Sequence, residues 1–187
     1  MNTTGIASPL TLLLEHANSN EHVDHALFLT YTFDPGFFER VALNPLDATG
    51  ARIAVVADTR LINRDPYAVR RMGNRYLIGH VHHQAAFHPK LVVLHSDDRT
   101  TVAVGSANLT MAGWHHSEEL WTVYSAEANR TSQLISDLGA WLIKLSEMLN
   151  AGALTQEFIS TVGNSIAGVA TEPDDNRLIG NLDQPII

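Results

Sequence analysis

Near the middle of the 187-residue chain, a set of polar residues has the types and spacing needed to bind an anion. His88 and Lys90 are two positions apart, and Gly105, Ser106 and Asn108 follow some fifteen positions later. The side chains supply an imidazole, an ammonium, a hydroxyl and an amide, all of them potential hydrogen-bond donors, and the glycine permits close approach of a backbone. If folding brings these groups together, they form a site for a tetrahedral anion such as a phosphate.

Two apolar runs lie between these residues and are expected to bring them together. Leu91–Leu94 and Val102–Val104 are separated by a short polar stretch, a pattern typical of a β-hairpin. Side chains alternate between the two faces of a strand, so His88 and Lys90 are expected on one face. The second strand returns to the same end of the sheet and would deliver the glycine, the serine and the asparagine there.

The rest of the chain reads as strands and helices in the βαβ pattern of a mixed or parallel sheet. Ser8-Pro9 and Asp34-Pro35 each have the form of a helix N-cap followed by proline. The predicted strands are 23–33, 51–57, 75–83, 91–94, 102–104 and 120–124, and the predicted helices are 9–18, 35–46, 126–150 and 155–169. We therefore expect one domain over residues 1–150, followed by a C-terminal helix and an acidic tail or linker over residues 151–187.

The motif resembles the signature of the phospholipase D superfamily of phosphodiesterases, in which H-x-K is followed by G-S-x-N. Its continuation through Thr110 and Gly113 to Glu119 resembles the nuclease-like branch of that family. The resemblance implies an α/β fold, with a phospholipase D-like mixed β-sheet flanked by helices on both faces, in which residues 1–150 are the catalytic domain. One position departs from the full motif, because the family has an aspartate five positions after the lysine where this chain has His95. Several nuclease-like members resemble this chain in lacking that aspartate.

The resemblance also implies a role for each residue of the motif. The implied catalytic set is His88, Lys90, Ser106, Asn108 and Glu119, with Gly105 in substrate binding. His88 would attack phosphorus to form a phosphohistidine that water then cleaves, and Glu119 would accept a hydrogen bond from its other ring nitrogen. Lys90 and Asn108 would bind the non-bridging phosphate oxygens, while Ser106 and the backbone near Gly105 would add neutral donors.

Only one H-x-K motif is present in the chain. The chemistry of the family uses two histidines, one to attack phosphorus and one to protonate the leaving oxygen. Members with a single motif resemble this chain in size and complete the site by two-fold dimerisation. We therefore expect a homodimer with one composite active site across the interface, because a two-fold axis places the same loop of each subunit at the same point.

The family is metal-independent, so the resemblance implies neither a metal nor another cofactor. His80 and His82 would place two imidazoles on one strand face, which is compatible with zinc. The chain contains no cysteine to join them. Metal-dependent catalysis is therefore the less favoured alternative.

The chain is acidic overall but has one basic stretch. Its net charge of −8 argues against a protein that coats polyanions without specificity. Five arginines nevertheless lie close together in sequence: Arg60, Arg64, Arg70, Arg71 and Arg75. Beside a phosphodiester motif, they are candidate contacts to a nucleic-acid backbone, with a solvated loop as the alternative. Trp114 is expected in the core or an interface, with stacking on a base as the less favoured alternative.

Composition adds broad limits. An apolar content of 45% and a charged content of 17% are ordinary for a globular protein. The sequence has no apolar run long enough for a transmembrane helix, and its first residues lack the basic region of a signal peptide. We expect a cytoplasmic protein without a membrane partner.

The leading hypothesis is a metal-independent phosphodiester hydrolase, and specifically a nuclease for which DNA is favoured over RNA. Two alternatives stay open at this point. One is a lipid phosphodiesterase, and the other is a catalytically lapsed nucleic-acid-binding or dimerisation module of a larger DNA-processing protein.

Overall fold

The computed structural model describes residues 3–6, 8–19, 21–58, 60, 62, 69–82, 86–116, 119–127, 132–168, 178 and 182. The strands are β1 (Thr3–Ile6), β2 (His25–Thr30), β3 (Arg52–Asp58), β4 (Leu77–Val81), β5 (Leu91–His95), β6 (Arg99–Gly105) and β7 (Trp121–Glu127). Together they form one sheet in the order β1-β7-β6-β5-β2-β3-β4. The strands β2, β3 and β4 are parallel to one another, and the pairings of β5, β6, β7 and β1 are antiparallel. The sheet is therefore mixed, as the sequence predicts.

The helices are α1 (Pro9–Asn18), α2 (Pro35–Phe37), α3 (Leu43–Thr49), α4 (Gln133–Met148) and α5 (Ala153–Ile166). A π-helical segment (Phe38–Ala42) joins α2 to α3, and a second π-helical turn covers Ala112–His116. Both predicted N-caps are confirmed. The Ser8 side chain accepts a hydrogen bond from Thr11 N, and the Asp34 side chain accepts one from Phe37 N, so each satisfies a backbone donor that the first helical turn leaves open.

Each face of the sheet carries its own apolar core, because successive side chains along a strand point to opposite faces. On β2, for example, Ala26 and Phe28 belong to one core, and Leu27 and Leu29 belong to the other. Helices α1, α2 and α3 cover the first face, whereas α4 and α5 cover the second. The α/β fold with helices on both faces is confirmed.

Several boundaries differ from the predicted ones. Residues 126–127 belong to β7 rather than to α4, because β7 pairs along its length with β6, up to the Arg99–Glu127 pair. The short strand β1, which has no clear periodicity, escaped prediction and pairs with the other side of β7. Helix α5 packs through Ile159 and Val162 into the same core as α4. Among the described residues, no helix has the length and hydropathy to cross a bilayer.

The register of the strands gives the sheet two distinct ends. Thr30, Asp58, Val81, Leu91, Gly105 and Trp121 lie together at one end, called here the His88 end. His25, Arg52, His95, Thr100 and Glu127 lie toward the far end. The seven residues of β3 separate the two ends by about 20 Å.

Candidate active site

Two neighbouring strand ends hold the predicted motif at the His88 end. His88 and Lys90 precede β5, and Ser106 follows β6. Gly105 N donates a hydrogen bond to Lys90 O at 3.2 Å, so the start of β5 is tied to the end of β6. The hairpin thus brings the two halves of the motif together, as the spacing predicts.

The imidazole of His88 is exposed and lies against the ammonium of Lys90. Lys90 Nζ is 2.9 Å from Nδ1 and 3.1 Å from Nε2 of His88. Partial burial, followed by the positive charge of Lys90, lowers the pKa of His88 below its ordinary value. The lowered pKa favours the neutral form of His88, which has a lone pair available for attack on an electrophile.

Ser106 and Glu119 form a second pair beside Lys90. The Ser106 hydroxyl donates to Glu119 Oε2 and accepts from Leu120 N at 3.2 Å. Burial lowers the pKa of Lys90, and the Glu119 carboxylate is close enough for its charge to oppose that shift. The structure thus brings Glu119 to the site. Within the described residues its carboxylate accepts a hydrogen bond from Ser106 and none from His88, so the implied orienting contact with His88 is not formed.

Asn108 joins the site through the segment that follows β2. Its Oδ1 accepts a hydrogen bond from Thr32 N at 3.3 Å. The next residue, Leu109, donates to Thr30 Oγ1 at 3.0 Å and accepts from Asp34 N at 3.0 Å. Since a backbone N–H can only donate, these contacts place the amide oxygen toward Thr32 and leave the NH2 group as the outward donor.

Tyr31, on the same segment, contacts the catalytic candidate directly. Its ring centroid lies 4.3 Å from that of His88 with the planes inclined at 50°. Lys90 Nζ lies 5.7 Å from the centroid of the Tyr31 ring. Sequence reasoning missed Tyr31, because it falls within an apolar and aromatic run that reads as a single strand over 23–33. The signal that could have identified Tyr31 is its position, because an aromatic residue with a hydroxyl group directly follows a buried strand of a parallel pair.

Gly105 has a packing role that differs from the expected one. A Cβ atom at this position would lie 2.3 Å from Cδ2 of Trp121 and 2.7 Å from the carbonyl oxygen of Leu120. The ring of Trp121 is buried in the core. The group that closely approaches the backbone of Gly105 is therefore the ring of Trp121.

Arg60 is the predicted arginine that the structure brings to the His88 end. Its guanidinium makes a bidentate pair with Asp58, at 2.9 Å from Nε to Oδ1 and 2.7 Å from Nη2 to Oδ2. Asp58 is buried and also accepts a hydrogen bond from Phe87 N, immediately before His88. The hydrogen bond from Arg60 holds the pKa of Asp58 far below its usual range. The Arg60 side chain is 56% exposed, so it can also reach a ligand.

Arg71 and Arg75 do not lie near His88. Arg71 and Arg75 form ion pairs with Asp47 on α3, at 3.3 and 2.5 Å. Arg75 lies just before β4, whose first residue pairs with Ala54 near the start of β3, and this places it toward the far end of the sheet. At Arg70 the backbone N–H donates to Glu39. Arg64 lies outside the described residues.

Solved structures share this arrangement of strands and helices. Nuc from Salmonella typhimurium, described as a phospholipase D family member, superposes with a TM-score of 0.53 at 16% identity, over 69% of this chain and 86% of that one. A mutant of yeast tyrosyl-DNA phosphodiesterase superposes with a TM-score of 0.58 at 10% identity, over 89% of this chain and 42% of that one. The chain has the phospholipase D fold. No protein-family model and no curated protein sequence matches it.

Within the phospholipase D fold, the departure from the family motif lies away from the site. His95 ends β5 at the far end, where its Nδ1 lies 2.9 Å from Thr100 Oγ1 and its ring stacks on His25. The position therefore belongs to the packing of the far end of the sheet. Among the described residues, His95 has no hydrogen bond or ring contact with His88 or Lys90.

The structure bears on two alternatives that the sequence left open, base stacking by Trp114 and a metal site. Trp114 is 7% exposed and packs on Phe37 and Trp121 in the core, so it is not a surface for stacking bases. Among the described residues, no group of three or more His, Asp or Glu side chains has the arrangement of a metal site.

Proposed function

We propose that this protein is a phospholipase D-type phosphodiesterase that cleaves nucleic acid, with DNA favoured, through a phosphohistidine intermediate and without a metal ion. One observation carries the proposal. An exposed imidazole, an ammonium, a hydroxyl–carboxylate pair and an oriented amide converge at one end of the sheet. The phospholipase D fold supports the same reaction class.

In the proposed reaction, a ring nitrogen of His88 attacks phosphorus and forms an N–P bond while the bond to the leaving oxygen breaks. A second imidazole, which starts in its protonated imidazolium form, gives its proton to that oxygen. Water then attacks phosphorus, the N–P bond breaks, and the second imidazole takes the proton of the water. Lys90 and Asn108 donate to the non-bridging oxygens, whose negative charge increases in the transition state.

The second imidazole is proposed to be His88 of a second copy of the chain. Each chain contributes one H-x-K motif, and a two-fold axis near His88 would place both imidazoles on one phosphorus atom. His88, Ser106 and Glu119 are all exposed in the single chain, which is compatible with a site completed by another subunit.

Two observations support the choice of substrate, and a third supports the absence of a metal from the mechanism. Arg60 presents a half-exposed guanidinium at the His88 end, where it would bind a phosphate flanking the scissile one. One structural neighbour, the yeast enzyme, is a tyrosyl-DNA phosphodiesterase. The ammonium of Lys90 against His88 would repel a divalent cation at the position where the phosphate binds.

The proposal is tested by incubating the purified protein with DNA and with RNA in excess EDTA. We expect cleavage of DNA and a trapped phosphoprotein, and we expect both to disappear in His88→Asn. His22→Asn is a matched control, since it replaces an exposed histidine that is paired with Asp24 near the far end. Binding of DNA without cleavage would instead support the lapsed binding module, and cleavage confined to a phospholipid would support the lipid phosphodiesterase.

The shared site is tested with a mixed dimer of wild-type and His88→Asn chains, separated by two different affinity tags. A single composite site needs both imidazoles, so we expect the mixed dimer to be inactive. Activity at half the wild-type level or above would show that each subunit works alone.

A further inference from the structure

We propose that Tyr31 is a positioning residue that holds the imidazole of His88 in its reactive orientation, the role that the family resemblance implies for Glu119. This inference rests on the proposed function, because it concerns the reaction of His88. It goes beyond that function by naming a residue that lies outside the H-x-K and G-S-x-N motif.

The carboxylate of Glu119 has a hydrogen-bond partner other than His88. It accepts a hydrogen bond from the hydroxyl of Ser106, and that hydroxyl itself accepts a hydrogen bond from Leu120 N. An exposed histidine before a strand can rotate about two side-chain torsions, and a reactive group needs a neighbour that selects one rotamer. The ring of Tyr31 is such a neighbour, with its centroid 4.3 Å from that of His88.

Hydrogen bonds hold the residues before and after Tyr31 in the chain. Thr30 Oγ1 accepts from Leu109 N and donates to Thr32 O at 2.9 Å. Thr32 N donates to the side chain of Asn108. The residues flanking Tyr31 are therefore tied to Asn108 and Leu109, which fixes the backbone that carries the ring relative to the amide of Asn108.

An aromatic ring beside His88 affects the pKa of the imidazole differently from a carboxylate. The Lys90 ammonium lies 5.7 Å from the Tyr31 centroid, within the range of a cation–π contact. The ring contacts His88 without bringing a negative charge next to it. Partial burial is the main cause of the lowered pKa of His88, whereas a carboxylate partner would raise that pKa. Tyr31 thereby favours the neutral nucleophile.

The test compares Tyr31→Ala with Tyr31→Phe in cleavage of a DNA oligonucleotide. We expect Tyr31→Ala to lower kcat by about 10- to 100-fold, because a misplaced nucleophile loses alignment, and to leave KM within about twofold. Tyr31→Phe keeps the ring and is expected to keep kcat within about twofold of wild type. Retained kcat in Tyr31→Ala, or an equal loss in Tyr31→Phe, would overturn the inference.

A matched control removes another ring that contacts a histidine. Phe158 packs edge-on against His25 near the far end, with centroids 5.6 Å apart. Phe158→Leu is expected to lower the melting temperature at least as much as Tyr31→Ala while leaving kcat unchanged. A fall in kcat of the same size in Phe158→Leu would mean that general destabilisation explains both.

A second readout does not need activity. The titration of His88, followed by NMR of labelled histidine, is expected to shift to a higher pKa in Tyr31→Ala and to remain at the wild-type value in Tyr31→Phe. The charged groups around this pair are Lys90 beside His88, Arg60 after β3 and Glu119 before β7, and none of them is changed by the variants. If wild-type protein cleaves no phosphodiester, the proposed function fails. The titration then decides alone, and an unchanged His88 pKa in Tyr31→Ala would overturn the contact.

Discussion

Asn108 shows how one backbone hydrogen bond decides which atoms of a side-chain amide point outward. The bond from Thr32 N occupies the amide oxygen and leaves the NH2 group to donate. The sequence alone identifies the residue, but it does not say which end of the amide points outward. At the residue scale, the orientation of this amide therefore depends on a hydrogen-bond donor that follows a different strand.

Asn108→Asp separates the structural role of Asn108 from its chemical role. Aspartate can still accept from Thr32 N, so the fold is expected to persist. It lacks the NH2 donors and places a negative charge next to the phosphate, so we expect kcat to fall by about 10²- to 10³-fold. The measurement is kcat together with the melting temperature. Asn44→Asp, an exposed change on α3, is the control, and activity of Asn108→Asp close to that of Asn44→Asp would contradict the assigned role.

At the scale of elements, the ends of β6 and β7 hold Ser106 and Glu119 in place through the packing of Gly105 under Trp121. Gly105→Ala would put a methyl group 2.3 Å from the ring of Trp121 and 2.7 Å from the carbonyl of Leu120. We expect the free energy of unfolding to fall by about 1–3 kcal/mol, and kcat to fall because the strand ends separate.

Gly152→Ala is the matched control for Gly105→Ala. Nothing lies within 4 Å of a Cβ atom built at Gly152, which caps α5. We expect a loss of at most about 1 kcal/mol there, from the poorer helix cap, with kcat unchanged. Urea unfolding and kcat check both variants, and equal losses in the two would show that the contact with Trp121 is not the cause.

The segment before β5 depends in the same way on β3. Asp58 links Arg60 to the backbone of Phe87, and it is almost fully buried. Asp58→Asn would remove the charge from these hydrogen bonds, so we expect a loss of about 1–3 kcal/mol in the free energy of unfolding together with reduced kcat.

Asp47→Asn provides the comparison for Asp58→Asn. It weakens two ion pairs whose arginines are about half exposed, and such pairs contribute about 0.2–1 kcal/mol. The free energy of unfolding in urea and kcat are measured for both variants. The prediction fails if Asp47→Asn costs as much stability as Asp58→Asn.

At the scale of the whole molecule, the two ends of the sheet differ in their histidines. His88 is exposed at one end, whereas His25 and His95 stack near the other with centroids 6.4 Å apart. Both ring nitrogens of His25 are buried and lack a hydrogen-bond partner among the described residues. Burial is the main cause that lowers the pKa of both histidines. The charge of Arg52 lowers the pKa of His25 further, and Asp24 opposes the shift. His25 lowers the pKa of His95 further, and Asp24 and Asp97 oppose the shift.

This arrangement predicts that the fold loses stability in acid. Because the pKa of each histidine is lower in the folded state than its unfolded value of about 6.5, the unfolded chain binds more protons below that pH. The contribution of these residues is complete above pH about 6.5 and is lost as the pH falls toward the folded pKa values. Urea unfolding at several pH values between about 5 and 8 measures the slope.

His25→Phe should reduce that slope without a loss of stability at neutral pH, since no hydrogen bond of the ring is removed. A slope identical to that of wild type would exclude His25 as a cause. A marked loss of stability at neutral pH would show that the imidazole makes a contribution beyond its packing on Phe158.

The sequence by itself determined the catalytic candidates, the starts of helices α1 and α2 and the two-faced sheet. Each of these depends on residues that are close in the chain: a motif, a cap followed by proline, or alternation along a strand. Tertiary structure alone decided that Tyr31 lies on His88, that Glu119 binds Ser106, and that Arg60 is separated from Arg71 and Arg75. These spatial relationships involve residues on different strands and loops. They follow from strand order and register, which local periodicity does not specify.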